Sequence, residues 1–180
     1  MTGTVLHTPR LRLEPWCHAH LDGLAQMTSD PRVMRFIGGE VRSRDETAVS
    51  IDRQLAKWAE HGFGWWSFFE RETGLLIGAG CIQHLAEKAE HGMEIGWRLR
   101  SDRWGRGFAT EAAETMGNFA FDHLDAPILL AVTVPENTAS RRVMERLAMR
   151  FRGIEPWYEL NLATYEITAE EWRDPRRVRL

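Results

Sequence analysis

The chain has 180 residues, 43% hydrophobic and 27% charged, with a formal net charge of −3. That is one domain's worth of chain, long enough to bury a core, and its ordinary globular composition excludes a disordered protein and gives no bulk charge for nucleic acid. Two cysteines, Cys17 and Cys81, exclude a disulfide scaffold and a four-thiolate zinc site.

Arg10-Leu-Arg-Leu-Glu14 alternates with period two and predicts a half-buried strand. A short helix is expected over 18–28, and Asp30-Pro31 opens another, with proline at its first position. Ser43-Arg-Asp-Glu46 fits a capping box, and Ala48, Ile51, Leu55, Trp58 and Ala59 follow at helical spacing up to Gly62. Strands over 65–70 and 75–82 flank Arg71-Glu-Thr-Gly74, a hairpin turn. Trp65 and Trp66 then point to opposite faces of one strand. After a polar stretch over 86–92, Met93, Ile95, Trp97 and Leu99 alternate with Glu94, Gly96 and Arg98, a strand with two distinct faces.

A glycine-rich loop and a helix over about 110–123 follow. Ile128 to Val134 reads as a buried strand. Asn137 can cap a helix running through Leu147, and 151–168 reads as two more strands. The order is strand, helices, three strands, helix, strand, helix, two strands. That is mixed α/β, with a mostly antiparallel central sheet flanked by helices. One domain is expected over 1–172 and a basic surface tail over 173–180. No 18-residue apolar run and no leader-like apolar segment occurs, so neither a membrane helix nor a signal peptide is expected, and cytoplasm is the default.

Trp104-Gly-Arg-Gly-Phe-Ala-Thr110 sits between a strand and a helix. Gly105 and Gly107 let the backbone turn its N–H groups outward, and the first helical turn adds free donors and a positive dipole end. That arrangement binds phosphates, with Arg106 and Arg103 as candidate charges; the plain alternative is a tight turn. A dinucleotide fingerprint fails because Thr110 stands at its third glycine, and no Gly-Lys-Ser/Thr exists for a P-loop. Glu111 and Glu114 must point away from any pyrophosphate.

With these segments in this order, the chain resembles the GNAT acetyltransferase superfamily, in particular the branch of ribosomal-protein N-terminal (Rim-type) acetyltransferases. Thr8-Pro-Arg-Leu-Arg-Leu13, Gly64-Trp-Trp66, Thr73-Gly-Leu-Leu-Ile-Gly78 and Glu94-Ile-Gly-Trp97 are similar to that branch's early strands. Trp104 to Ala112 resembles its acetyl-CoA motif and Asn137-Thr-Ala-Ser140 its next helix. The chain departs from the superfamily at Trp104, where Gln or Arg is usual, and at Leu147-Ala-Met149, in place of Leu-Gly-Phe.

The resemblance implies a GNAT-like acyl-CoA N-acyltransferase fold and a direct attack of an amine on acetyl-CoA. It implies that Gly105, Arg106, Gly107, Ala109 and Thr110 hold the pyrophosphate, within a cofactor-binding segment that includes Trp104 and Phe108. Leu99 would pair its backbone with the pantetheine arm where the fourth and fifth strands diverge. Asn137 would bond the pantetheine or simply cap its helix. Ser140 would protonate the departing thiolate or be a small helix residue. Arg142 would reach the adenosine phosphates or face water. Glu94 is the candidate general base, the alternative being an ion-paired strand residue. No metal is expected, since no His-Glu-x-x-His occurs. The acceptor is an amine: a protein N-terminal α-amine leads, as in the Rim-type enzymes, and a small molecule such as a polyamine, amino acid or antibiotic is the close rival. A non-catalytic acyl-CoA binder is the reading from another class. Acceptor specificity would come from helices over 18–61 and the loop over 84–92, or from a second subunit of a homodimer.

Overall fold

Leu11 and Leu13 are fully buried while Arg12 is exposed, so the period-two stretch becomes a strand with one face in the core. The computed structural model describes residues 3–177. Its strands are β1 (Leu6–His7), β2 (Leu11–Pro15), β3 (Trp65–Glu70), β4 (Leu76–His84), β5 (Met93–Leu99), β6 (Ile128–Thr133), β7 (Arg150–Trp157) and β8 (Leu160–Thr168). Its α-helices are α1 (Leu21–Thr28), α2 (Pro31–Met34), α3 (Arg44–His61), α4 (Phe108–His123), α5 (Thr138–Arg146) and α6 (Ala169–Arg173). The strands form one sheet in the order β1-β2-β3-β4-β5-β6-β8-β7. It is mostly antiparallel, with β5 and β6 parallel. This is the mixed α/β class expected. The residues group into two units, one of Met1–Cys81 with Trp97–Thr115, the other of Ile82–Gly96 with Met116–Leu180.

In the first unit, Trp16, Leu24, Met27, Val33, Ile51, Leu76 and Ala79 form a buried cluster that seats α1, α2 and α3. The Ser43 capping box is present in full, and α3 ends at Gly62 with φ 74°. Trp65 packs on Trp16, while Trp66 is fully buried and donates its Nε1 to the Thr4 carbonyl at 2.8 Å. β4 and β5 approach closely at Gly78, where a Cβ would lie 2.8 Å from the Arg98 carbonyl. The Arg100 N–H donates to the Ile77 carbonyl at 2.8 Å.

In the second unit, β6 pairs with β8 from Ile128↔Thr168 to Thr133↔Ala163. β5 pairs with β6 at Met93↔Leu129 and Glu94↔Leu130. Gly117 lies inside α4 because Trp172 needs the room: a Cβ there would sit 2.6 Å from the indole. The indole Nε1 of Trp172 donates to Asn118 Oδ1 at 2.8 Å. The expected tail is held in part. Arg173 donates to the Phe121 carbonyl at 2.6 Å, and Arg177 lies 3.8 Å from the Trp172 ring centroid. Its last three residues, 178–180, lie outside the described residues. No helix among the described residues is long and apolar enough to cross a membrane.

Candidate active site

The glycine loop belongs to the first unit. Gly105 and Gly107 both take left-handed backbone, φ 74° and 80°, which only glycine adopts without strain. α4 begins at Phe108, two residues before the position expected from the sequence, so the loop is shorter and the helix N-terminus follows Gly107 directly. The Glu111 N–H closes the first helical bond onto the Gly107 carbonyl at 3.1 Å, and the amides of residues 108–110 come before it. Residues 104–107 are exposed, and Trp104 is held by donating its Nε1 to the Leu99 carbonyl at 3.0 Å.

Arg10, on the approach to β2, takes up the acid that occupies the first turn of α4. Glu111 accepts from the Thr8 hydroxyl at 2.5 Å, from the Arg10 N–H at 2.9 Å and from the Arg10 Nε at 2.6 Å. Burial pushes the Glu111 carboxyl up, but the Thr8 and Arg10 donors and the Arg10 charge outweigh it and hold it below its ordinary value. Arg10 Nη1 also donates to the Arg106 carbonyl at 2.9 Å, and the guanidinium lies 4.4 Å from the Phe108 ring centroid. One residue thus removes the acid and braces the loop. Arg106 is exposed, whereas Arg103 is taken up by Asp102 at 2.8 Å and Glu70 at 3.4 Å. Of the two candidate charges, Arg106 is the exposed one.

The second unit holds Glu94, buried at 8% exposure. Its Oε2 accepts from Gln83 Nε2 at 2.9 Å and from the Tyr158 hydroxyl. The same hydroxyl accepts the Ala86 N–H at 3.1 Å. Tyr158 and Glu159 form the two-residue loop between Trp157 and Leu160, with φ 52° and 61°. Positive φ at both positions is the type I′ pattern that normally calls for Asn or Gly. Ala86 and Glu87 are also left-handed, at 51° and 61°. Two left-handed non-glycine residues are therefore tied to one buried carboxylate, Tyr158 directly and Ala86 through it, and strain of this kind collects at functional sites. The sequence reading missed Tyr158. The turn falls on Tyr158 and Glu159 rather than on the turn residues nearby, Gly153, Pro156 and Asn161, so the fold-back point carried no signal of its own.

Asn137 and Ser140 also lie in the second unit. Asn137 caps α5, accepting the Ser140 N–H on Oδ1 at 3.2 Å. Its Nδ2 donates to Thr133 Oγ1 at 3.0 Å and to Ser140 Oγ at 3.1 Å. Ser140 thus accepts with its oxygen and keeps its own O–H to give. Arg141 is spent on the Tyr165 hydroxyl at 3.0 Å, while Arg142 is exposed. His91 packs edge-on against Trp157, at 5.1 Å between centroids. Cys81 is buried, and Cys17 is partly accessible. Among the described residues no group of three His, Cys, Asp or Glu side chains could hold a metal.

The acetyltransferase (GNAT) domain family matches residues 10–150, and the chain belongs to that family. It is an acetyl-CoA-dependent acyltransferase, and acetyl-CoA is the cosubstrate of this family's transfer to amines. A relative from Aspergillus fumigatus, named FsC-acetyl coenzyme A-N(2)-transacetylase, is 29% identical, over 93% of this chain and 77% of its own length. An acetyltransferase structure of the GNAT family from Bacillus anthracis superposes with a TM-score of 0.80 at 25% identity, covering 93% of this chain and 100% of that one. Ribosomal-protein-S5-alanine acetyltransferase from Vibrio fischeri superposes with a TM-score of 0.76 over 94% and 99% of the two chains. At 15% identity it shares the fold alone.

Proposed function

We propose that the chain moves an acetyl group from acetyl-CoA to a primary amine carried by a small molecule, with residues 1–172 as the catalytic domain. The observation that carries the coenzyme assignment is the exposed loop over 104–107. Its two left-handed glycines lead straight into α4, and its one intruding acid, Glu111, is drawn off by Arg10. Gly105, Arg106, Gly107 and the amides at Phe108, Ala109 and Thr110 hold the pyrophosphate, and Arg142 meets the adenosine end. Bound acetyl-CoA supplies a thioester carbonyl open to direct attack.

The acceptor amine is protonated at neutral pH and must lose a proton before it can attack. Glu94 takes that proton, directly or through water, with Tyr158 and Gln83 fixing its carboxylate. A backbone N–H beside Leu99 stabilises the charge that builds on the carbonyl oxygen. It is not the N–H of Arg100, which is bound to Ile77. Ser140 gives its proton to sulfur as the carbon–sulfur bond breaks. As the amide forms, the attacking nitrogen sheds a second proton that restores the Ser140 hydroxyl, so the new nitrogen–carbon bond, one proton on Glu94 and one on the thiol balance the transfer.

A small-molecule amine is preferred to a protein N-terminus. The relative with the N(2)-transacetylase name matches this sequence at 29% identity, whereas the ribosomal-protein acetyltransferase shares only the fold. The test is thiol release from acetyl-CoA over a panel of amino acids, polyamines and N-terminal peptides. Turnover on a small amine supports the reading. Turnover confined to peptides overturns the acceptor class, and coenzyme binding without turnover on any amine makes the chain a binder.

A further inference from the structure

We infer that Arg98 and Trp16 form a receptor for an anionic group on the acceptor, so that the amine acetylated by this chain also carries a carboxylate. This deepens the function proposed above and rests on it.

Arg98 lies on β5, next to Leu99, and is only 6% exposed. Its Nε is enclosed and meets no hydrogen-bond acceptor among the described residues. The charges that act on it are Arg42, of the same sign, and the thiol of Cys81, with no carboxylate among them. Burial, reinforced by Arg42, pushes the guanidinium down to about 10. Trp16 is just as isolated: its indole Nε1 is buried and also meets no acceptor. The two groups are neighbours. The Arg98 Cζ lies 5.6 Å from the Trp16 ring centroid and 4.6 Å from that of Trp65, and the two indoles are 5.3 Å apart.

Aromatic rings interact with a guanidinium through its flat face and leave the N–H donors along its edge unspent. A buried cation and a buried indole donor without acceptors are both costly, and native chains rarely leave such groups unmatched. The missing partner must be an acceptor and negative. A carboxylate meets both conditions. Its two oxygens match the guanidinium fork and leave lone pairs for the Trp16 N–H. The coenzyme's phosphates have a separate receptor in the exposed loop beside Arg106. Trp16 shares its buried cluster with β3, β4 and the helices α1, α2 and α3, and these helices lie within the segment to which the sequence assigns acceptor recognition; Arg42 is steadied by donating to Ser50 of α3 at 3.1 Å.

The test compares amines that differ only in the carboxylate: α-, β- and ω-amino acids against their primary amides, at fixed pH and saturating acetyl-CoA. Wild type is expected to favour at least one free acid by tenfold or more in kcat/KM. Arg98→Met is expected to erase that preference by raising KM for the acid, with KM for acetyl-CoA unmoved. Trp16→Phe keeps an aromatic ring, loses the donor and is expected to cut the preference several-fold, which guards against an Arg98→Met chain that fails to fold. Equal rates on acids and amides, or a preference that survives both substitutions, overturns the receptor while acetyl transfer stands. Calorimetry with N-acetylated amino acids separates the opposite failure. Acid-selective binding lost in Arg98→Met, without turnover on any amine, keeps the receptor and removes the enzyme.

Discussion

The Tyr158 hydroxyl and the Gln83 amide converge on one oxygen of a buried carboxylate, and the hydroxyl is itself fixed by the Ala86 N–H. A base held in this way needs no reorganisation before it takes a proton. Tyr158→Phe removes one donor and the brace to Ala86. The expected result is a fall in kcat of about tenfold, with KM for acetyl-CoA unchanged and at most about 1–2 kcal/mol lost in stability, read by steady-state kinetics and denaturant melts. The loop makes a separate prediction. Arg10→Met frees Glu111 to face bound phosphate and unties the Arg106 carbonyl, so acetyl-CoA affinity measured by calorimetry should drop by tenfold or more. Gly107→Val places a branched side chain at φ 80° and should abolish that affinity. The sequence made Gly105 and Gly107 legible because their need is local. Tyr158 was not legible, since its role depends on a partner 64 residues away and on a turn that lacks the usual turn residues.

At the scale of elements, the end of α5 shows what a departure from the family pattern costs. Ala148 stands where the resemblance leads one to expect glycine and still adopts φ 58°. The Ala148 N–H bonds the Glu145 carbonyl at 2.9 Å and the Met149 N–H bonds that of Met144 at 3.0 Å, which is the Schellman arrangement. The turn therefore survives with a strained residue in it. Ala148→Gly should stabilise the chain by about 0.5–1 kcal/mol, seen as a higher midpoint in urea with an unchanged slope. The cap of α3 runs the other way. Ser43→Ala loses the acceptor for the Glu46 N–H and should cost about 1 kcal/mol. Elements with their own punctuation, such as the capping box, Asp30-Pro31 and the Gly74 turn, could be read directly. The two-residue β1 could not, because tertiary contacts define it; α6 did carry a signal that the sequence reading missed, the capping box Thr168-Ala-Glu-Glu171, and Trp172 against Gly117 fixes its place.

Across the whole molecule, charge couples stability to pH in one direction. Asp30 is held low by Arg32, Glu46 by the Ser43 N–H and Glu171 by the Thr168 N–H, and the donors on Glu111 outweigh its burial. Each group binds protons less readily folded than unfolded. Its contribution is present above the unfolded carboxylate range, near pH 4, and is lost as pH falls through the folded value. Burial pushes His20 down against the pull of Glu14, so the unfolded chain protonates first, and stability should already begin to fall below about pH 6.5. Urea melts from pH 7.5 to 5 should show this early decline, and His20→Phe should flatten it. Of the 23 basic residues, 21 are arginine, and the structure divides them by role. Ten arginines among the described residues pair with acids, Arg10 also braces the loop, Arg106 faces outward from it, and Arg98 is buried without a carboxylate partner. The most direct measurement of the catalytic claim is the pH profile of acetyl transfer for wild type and Glu94→Gln with the best small amine. The expected result is a large deficit for Glu94→Gln at neutral pH that closes as pH rises and the amine deprotonates by itself. A deficit that stays constant across pH would contradict Glu94 as the base.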